Sequence, residues 1–451
     1  MAEHAKLKGR ASADASAERL ARFEQAPGWA RRLGNTGLMV SALGFGTYRV
    51  QPDKEEHLDA LRRALTLGGV NLIDTSCNYA MGGAERALGG LLRELVDAGD
   101  IRREEIIVVS KAGYIQGAFL SEMQLEEEID PLEGRVARVG HDHWHSISPV
   151  YLQRSLDASL ARLGLETIDV FLLHNPEYLI DPGPPEAAQH PLYQREDAFY
   201  SEMEESFKVL EAAVEAGRIG CYGVSSNAFV ALPKSERRTR LDLIIEAAER
   251  AGGEEHHCRV IQLPLNAIEK GAAEPEGGEP SLLERASQAG MAVLVNRTMN
   301  ALVAGHIVRL ADPGRDEDAD AFKRARKALA RLEGVIGAQE RSHPLPQWSQ
   351  ELPSAMRKLF GTVAFDDFQE HYADRKTEQA LAHLASQVQG DEKGSRLMGR
   401  WMRDYLEAYA LLMRSARAQF ARRDKGRLAP RILEIEQALP SGLSGLSTSQ
   451  A

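Results

Sequence analysis

Cysteine is scarce in this chain: 451 residues carry only Cys77, Cys221 and Cys258. An odd, scattered set makes no disulfide framework, so reduced thiols in a cytoplasmic protein are expected. No apolar run reaches the ~18 residues that a bilayer span needs, and the polar, alanine-rich start lacks the apolar centre of a secretory signal. An excess of basic charge is absent too. The balance is -11, which favours solubility and argues against general nucleic-acid binding. The length exceeds one ordinary domain, although a barrel of alternating strands and helices, about 250 residues with appendages, accounts for it.

What is present is an alternation. Helical periodicity over 55–68, 84–97, 149–163, 198–217, 236–252 and 280–289 alternates with short β-branched runs at 70–74, 106–110, 168–173, 220–225, 259–263 and 291–295. Strands buried on both faces read as continuous apolar runs, and their alternation with helices is the signature of a parallel sheet. The expected fold is α/β: a (β/α)8 TIM-type barrel over residues 29–310, preceded by a polar extension at 1–28. Beyond 311 the pattern changes to amphipathic helices, among them 319–332, 377–387, 397–419 and 430–439. None contains a convincing strand, so the barrel's last strand is not visible. The expectation is a helical block at 311–451 that stands before a missing strand or extends the C-terminus, and it offers an interface for oligomers.

Polar residues sit where the apolar runs end. Asp74 closes Val70–Ile73, Lys111 closes Ile106–Ser110, His174 closes Ile168–Leu173, and Tyr79 lies in the loop after Asp74. The C-terminal ends of barrel strands are where chemistry is done. A phenol of pKa about 10 is a poor acid at neutral pH, and a nearby ammonium lowers that pKa. Lys111 supplies such a charge, Asp74 holds it, and His174 orients a carbonyl oxygen or relays its proton. An acid beside a carbonyl is half of a carbonyl reduction; the other half is a hydride, which a nicotinamide cofactor carries.

Here the sequence resembles the aldo-keto reductases. Arg32-Leu33-Gly34-Asn35-Thr36-Gly37 through Leu43-Gly44-Phe45-Gly46-Thr47 is similar to that family's N-terminal hairpin and first strand. Asn71-Leu72-Ile73-Asp74-Thr75 with Tyr79 and Gly83-Ala84-Glu85 resembles its active-site segment, and Ile168-Asp169 with His174-Asn175-Pro176-Glu177 the strand that delivers its histidine. The resemblance covers roughly residues 30 to 310. It implies Tyr79 as general acid, Lys111 and Asp74 as its tuning pair and His174 as the substrate-orienting group. It also implies NADP (NADPH), or NAD, as cofactor, with Gly46, Thr47, Asp74, Ser225, Ser226, Gln262, Asn296 and Arg297 as cofactor-binding positions. Family members usually have Ser followed by Asn where this chain has Ser225, Ser226 and Asn227, which leaves open which of the three meets the carboxamide.

Other features carry weaker chemistry. The loops 112–148 and 175–198 are long for βα connections and are expected to wall a substrate pocket. His141-Asp142-His143-Trp144-His145 has the residue types of a metal site, but the proposed chemistry has its electrophile in Tyr79, so no metal is expected. Cys77 reads as a bystander thiol. Lys393-Gly394-Ser395-Arg396 has the residue types of a phosphate clamp, although it falls between predicted helices and not after a strand. The resulting expectation is an NAD(P)(H)-dependent oxidoreductase acting on an aldehyde, ketone or sugar. The alternative is a noncatalytic scaffold or sensor on the same fold with weakened cofactor binding.

Overall fold

The computed structural model describes residues 6–23, 28–125, 135–139, 143–180, 196–230, 239–275, 277–303, 306–310, 320–336, 345–388 and 392–438. The chain falls into two compact units, one of Met1–Pro264 with Lys270–Asn296, the other of Leu265–Glu269 with Arg297–Ala451.

The first unit opens with helix α1 (Ala13–Arg22) and the hairpin β1 (Ala30–Arg32) and β2 (Met39–Ser41). Then come β3 (Phe45–Gly46), α2 (Glu55–Thr66), β4 (Leu72–Asp74), α3 (Gly83–Asp97) and β5 (Ile107–Ala112). The loop after β5 contains β6 (Tyr114–Ile115), α4 (Ala118–Leu125), β7 (Ala137–Arg138) and β8 (Trp144–His145). The alternation resumes with α5 (Pro149–Leu163), β9 (Ile168–His174), α6 (Glu196–Glu215), β10 (Ile219–Ser225), α7 (Leu241–Gly252), β11 (Cys258–Pro264), α8 (Leu282–Gln288) and β12 (Ala292–Asn296).

The sheet runs β3-β4-β5-β9-β10-β11-β12, parallel throughout. These are seven strands of a (β/α)8 barrel in sequential order, and among the described residues no eighth parallel strand joins β12 to β3. All residues of β5 and β9 are buried, as expected for β-branched runs between two layers. Ile107, Val109, Val170, Leu172 and Val260 form a core with Leu33 and Val40 of the β1–β2 hairpin. Each such side chain contributes roughly 1.5–3 kcal/mol by leaving water.

Local signals set the frame of this unit. Helix α5 has Ser148 accepting a hydrogen bond from the Tyr151 amide at its start, Pro149 in its first turn, and Gly164 at φ 62° at its end, which together begin and terminate it. At the N-terminal end of β9, Asp169 accepts from the Ala11 amide, the Val108 amide and the Arg103 guanidinium at 2.7, 2.8 and 2.8 Å. The hairpin is held by Asn71, whose amide spans Ser41 and Met39, and by the Asn35 amide donating to the Gly290 carbonyl at 2.9 Å. The segment read as a polar extension is thus partly integrated: Arg19 of α1 is fully buried and donates to Glu105 at 3.1 Å.

The second unit begins with the antiparallel hairpin β13 (Asn300–Val303) and β14 (His306–Arg309), which the sequence reading placed inside the barrel region without recognising its strands. Helices α9 (Ala321–Ile336), α10 (Trp348–Met356), α11 (Gly361–Phe368), α12 (Arg375–Gln387) and α13 (Glu392–Ala438) follow, with a π-helical segment over Gln369–Asp374. The two helices expected over 397–419 and 430–439 form one continuous helix. Lys393–Arg396 is not an inter-helix loop but lies in the first turns of α13. The core gathers Trp348, Phe365, Tyr405, Leu412 and Phe420, and Arg309 and Arg417 both pair with Asp366. No described helix is long and apolar enough to cross a membrane.

Candidate active site

Strand register brings the predicted groups into one row. Gly46 pairs with Asp74, Lys111 with Leu172, and Ser225 with both His174 and Gln262. One polar side chain therefore arrives near the C-terminal end of each of five adjacent strands, β4, β5, β9, β10 and β11. Lys111 is fully buried. Its ammonium donates to Asp74 Oδ1 at 2.6 Å, to the Thr75 carbonyl at 2.8 Å and to the Tyr79 hydroxyl at 3.3 Å. The same ammonium stands 4.9 Å from the centre of the Tyr79 ring.

The electrostatics differ from the simple expectation for the phenol. Burial pushes the Tyr79 pKa up, and the Lys111 charge, which opposes this, does not overcome it. Lys111 itself is raised: burial alone would lower it, but the charge and hydrogen bond of Asp74, with those of Tyr79, outweigh that cost. His174 is lowered well below its ordinary value by burial, with the Lys111 and His145 charges adding to it, so its imidazole is neutral near pH 7. Its Nδ1 lies 3.0 Å from Ser76 Oγ, its ring centroid 6.0 Å from that of Tyr79.

The cofactor candidates divide. Gln262 donates to Asp74 Oδ2 at 2.8 Å and accepts from Ser225 Oγ at 2.8 Å, so Ser225 and Gln262 extend the tetrad's network. Ser226 is turned to other partners: its hydroxyl pairs with Thr239 at 2.7 Å and accepts from the Ala228 amide. Asn227 donates through Nδ2 to Asn175 Oδ1 at 3.3 Å. Thr47 binds the Asp74 carbonyl through both its amide and its hydroxyl. Asn296 ends β12 opposite Pro264, its Oδ1 buried and without a hydrogen-bond partner among the described residues. Arg297 belongs to the second unit, where it pairs with Glu269 at 3.1 Å.

Several groups around His174 escaped the sequence reading. Tyr114, from the long loop after β5, packs edge-on against the His174 ring with centroids 4.7 Å apart and also meets His143, His145 and Tyr178. His145 binds the His174 carbonyl through Nε2 at 2.7 Å. Two of the histidines read as a metal motif are thus engaged with aromatic rings and backbone, and His141 and Asp142 lie outside the described residues. Among the described residues no group of three acidic, histidine or cysteine side chains is placed to hold a metal ion. Cys77 touches the Tyr151 hydroxyl at 4.0 Å, and burial raises its pKa, which disfavours a nucleophilic thiolate. Of the two loops expected to wall a pocket, the first supplies Tyr114; residues 181–195 of the second lie outside the described residues.

Backbone strain follows the same row. Among the described residues, the non-glycine positions with left-handed φ are Ala80 and Met81, the two residues after Tyr79, Asn175 after His174 and Arg297 after Asn296. Such conformations cost of order 1–3 kcal/mol each and collect at functional sites.

A parallel α/β unit of the barrel type with a carboxylate, an ammonium, a phenol and an imidazole at its strand tips defines the class of protein. Residues 42–243 match the model of the aldo/keto reductase family. It is 26% identical over 201 residues to a 6-dehydroglucose reductase of Novosphingobium aromaticivorans, covering 44% of this chain and 51% of that protein. It is 31% identical over 205 residues to an L-glyceraldehyde 3-phosphate reductase of Escherichia coli, covering 44% of each. The chain spans about half the length of the curated relatives it matches. Among solved structures, an aldo-keto reductase from Bacillus halodurans is 21% identical, with 68% of this chain and 82% of that one covered and a TM-score of 0.40.

Proposed function

We propose that the chain is an NAD(P)(H)-dependent oxidoreductase of the cytoplasm that interconverts a carbonyl and an alcohol. The observation that carries this reading is the Lys111 ammonium, fully buried and shared between Asp74 at 2.6 Å and the Tyr79 hydroxyl at 3.3 Å. A buried cation costs several kcal/mol unless paired. This one is spent where it steadies the negative charge that forms on a phenol giving up its proton.

The residues fit a nicotinamide. Ser225 and Gln262 offer a hydroxyl and an amide beside Asp74, complementary to a carboxamide, and the buried Asn296 Oδ1, without a partner among the described residues, is a further acceptor. When bound, the cofactor supplies the hydride. The chain's own groups do the rest. Tyr79 donates its proton to the carbonyl oxygen as charge develops there, Lys111 stabilises the phenolate left behind, and Asp74, fixed by Gln262, holds Lys111 charged. His174 orients the substrate, with Tyr114 against its ring. Reductases named for a dehydroglucose and a glyceraldehyde phosphate among the relatives support a sugar or other small carbonyl compound as substrate.

Tyr79→Phe tests the assignment. It should lower turnover ~10² to 10⁴-fold, the usual contribution of a positioned general acid, while leaving NADPH or NADH affinity nearly intact. Normal turnover in that variant would refute the role. Titration of both cofactors into the purified chain separates the alternative, since binding of neither would leave a noncatalytic scaffold.

A further inference from the structure

We infer that Glu177 is a positioning residue of the nicotinamide site: its carboxylate grips the backbone after Ser225 through the Asn227 amide and so keeps Ser225 set beside Gln262, tightening cofactor binding when it is ionised. This deepens the nicotinamide reading and rests on it for the ligand, though not for the grip.

Glu177 lies in the short turn Pro176–Leu179, directly after His174 and the left-handed Asn175. Three hydrogen bonds tie this turn to the one that follows β10. The Asn175 amide donates to the Ser225 carbonyl at 2.7 Å, Asn227 Nδ2 to Asn175 Oδ1 at 3.3 Å, and the Asn227 amide to Glu177 Oε1 at 3.0 Å. On its other side the same backbone is held by β11, since the Ser226 amide donates to the Gln262 carbonyl at 3.0 Å and the Ser225 hydroxyl to Gln262 Oε1 at 2.8 Å. The side chains of Ser226 and Asn227 are engaged with Thr239 and Asn175. A carboxamide is therefore left to Ser225 and Gln262, and the backbone that aims Ser225 is anchored one residue pair further on by a carboxylate.

That carboxylate has little to hold its charge. Residues 226–230, which it grips, include no charged side chain, and its Oε2 is buried without a hydrogen-bond partner among the described residues. Burial raises its pKa to about 7, against the Ser226 hydroxyl and the Asn227 and Ala228 amides, which favour the ionised form. The titratable groups around the turn are Tyr114 of β6, His143 and His145 at β8, Tyr178 beside it and His174 at the end of β9. Burial keeps the Tyr114 phenol protonated and the His174 imidazole neutral. A charged acceptor binds an amide more strongly than a neutral one, so the grip on Asn227 tightens as Glu177 ionises. By reciprocity, a ligand that needs the gripped backbone binds better above that pH and releases a proton as it does so.

Titration of NADH into the full chain between about pH 5.5 and 8.5, followed by protein fluorescence, reads the coupling. NADH is the probe because the extra phosphate of NADPH itself titrates, with a second pKa of about 6. Affinity should rise about 3- to 10-fold across that span, the margin of a charged over a neutral acceptor. In Glu177→Gln, which keeps an acceptor and cannot ionise, it should stay flat near the acid-side value. A flat profile in the native chain, or an equal rise in both proteins, overturns the coupling. The grip is read without cofactor by NMR of chain labelled with nitrogen-15 asparagine, Asn227 being assigned by its loss in Asn227→Ser. The Asn227 amide should titrate with the midpoint of Glu177 in the native chain and not in Glu177→Gln; an amide that does not move overturns the inference. If it titrates and neither NADH nor NADPH binds at any pH, the nicotinamide reading fails while the grip stands.

Discussion

The two units compensate most of their buried acidic side chains differently. In the strand-and-helix unit four carboxylates meet cations: Glu105 has Arg19 and Arg22, Asp169 has Arg103, Glu85 has Arg162, and the partly buried Asp74 has Lys111; Glu177, which accepts from the Asn227 amide at 3.0 Å and is pushed up to about 7 by burial, is the exception. In the helical unit the buried acids meet neutral donors. Glu333 is bound by the amide and hydroxyl of Ser349, and Asp424 by the amide and hydroxyl of Thr362 at 2.8 and 2.7 Å. Compensation by cations keeps a carboxylate charged. Compensation by dipoles alone lets burial raise the pKa, as it does for Glu333.

The comparison is broken most severely at Lys111. Lys111→Met removes the cation shared by Asp74 and Tyr79 and should reduce turnover ~10² to 10⁴-fold, with circular dichroism unchanged; near-normal turnover would show that the ion pair is only structural. In the intact protein, reduction needs a protonated Tyr79. Because that pKa lies above its ordinary value, the reduction rate should stay flat through neutral pH and decline only above about pH 10, a profile read by steady-state kinetics. Next in size, Trp348→Ala should cost the helical unit about 3–5 kcal/mol. Its ring is 1% exposed, and its Nε1 donates to Thr377 at 2.7 Å. Denaturant unfolding followed by circular dichroism measures the loss.

Smaller effects sharpen the contrast. Glu333 has a folded pKa above its unfolded value of 4.5, so the native state retains a proton that the unfolded chain has released. Its contribution is complete below that value and is lost as pH rises through the raised one. Glu333→Gln should therefore stabilise the protein at pH 8 relative to pH 5 and flatten the dependence, as thermal melts at the two values would reveal. Glu105, held below its ordinary value by Arg102 and Arg22, should show no such alkaline loss. Smallest, Ala80→Gly relieves the left-handed backbone after Tyr79, at φ 48° and ψ 39°, and should stabilise by about 1 kcal/mol; a destabilised variant would mean that the turn carries no strain.

Much of the first unit was legible because its physics is local and repetitive. Ile168–Leu173 is buried on both faces, so it reads as a strand, and a polar residue ending it stands out. The hairpin of the second unit was missed although Leu302-Val303 and Ile307-Val308 are β-branched or apolar pairs, because each run is too short to stand out beside amphipathic helices. Helix α13 read as two helices because Pro430 and the basic stretch before it suggest a break, whereas the helix runs on to Ala438. Ser76 was invisible for another reason. It is a small neutral residue beside charged ones, and its partner His174 lies 98 positions away. Ser226 is the reverse case: one of three residues among which the sequence leaves the choice open, it has its hydroxyl paired with Thr239 in the fold.

The bond between Asn35 and Gly290 has a consequence for how the first unit is made. Each ladder of the sheet joins a strand to the next one in order, so the layers can be added one by one as the polypeptide leaves the ribosome, domain growth keeping pace with synthesis. The early hairpin is different, because its docking surface at Gly290 and Ala292 is translated last. Until then Leu33 and Val40, buried in the finished protein, have no complete seat, and a nascent chain halted before that point would present them to chaperones.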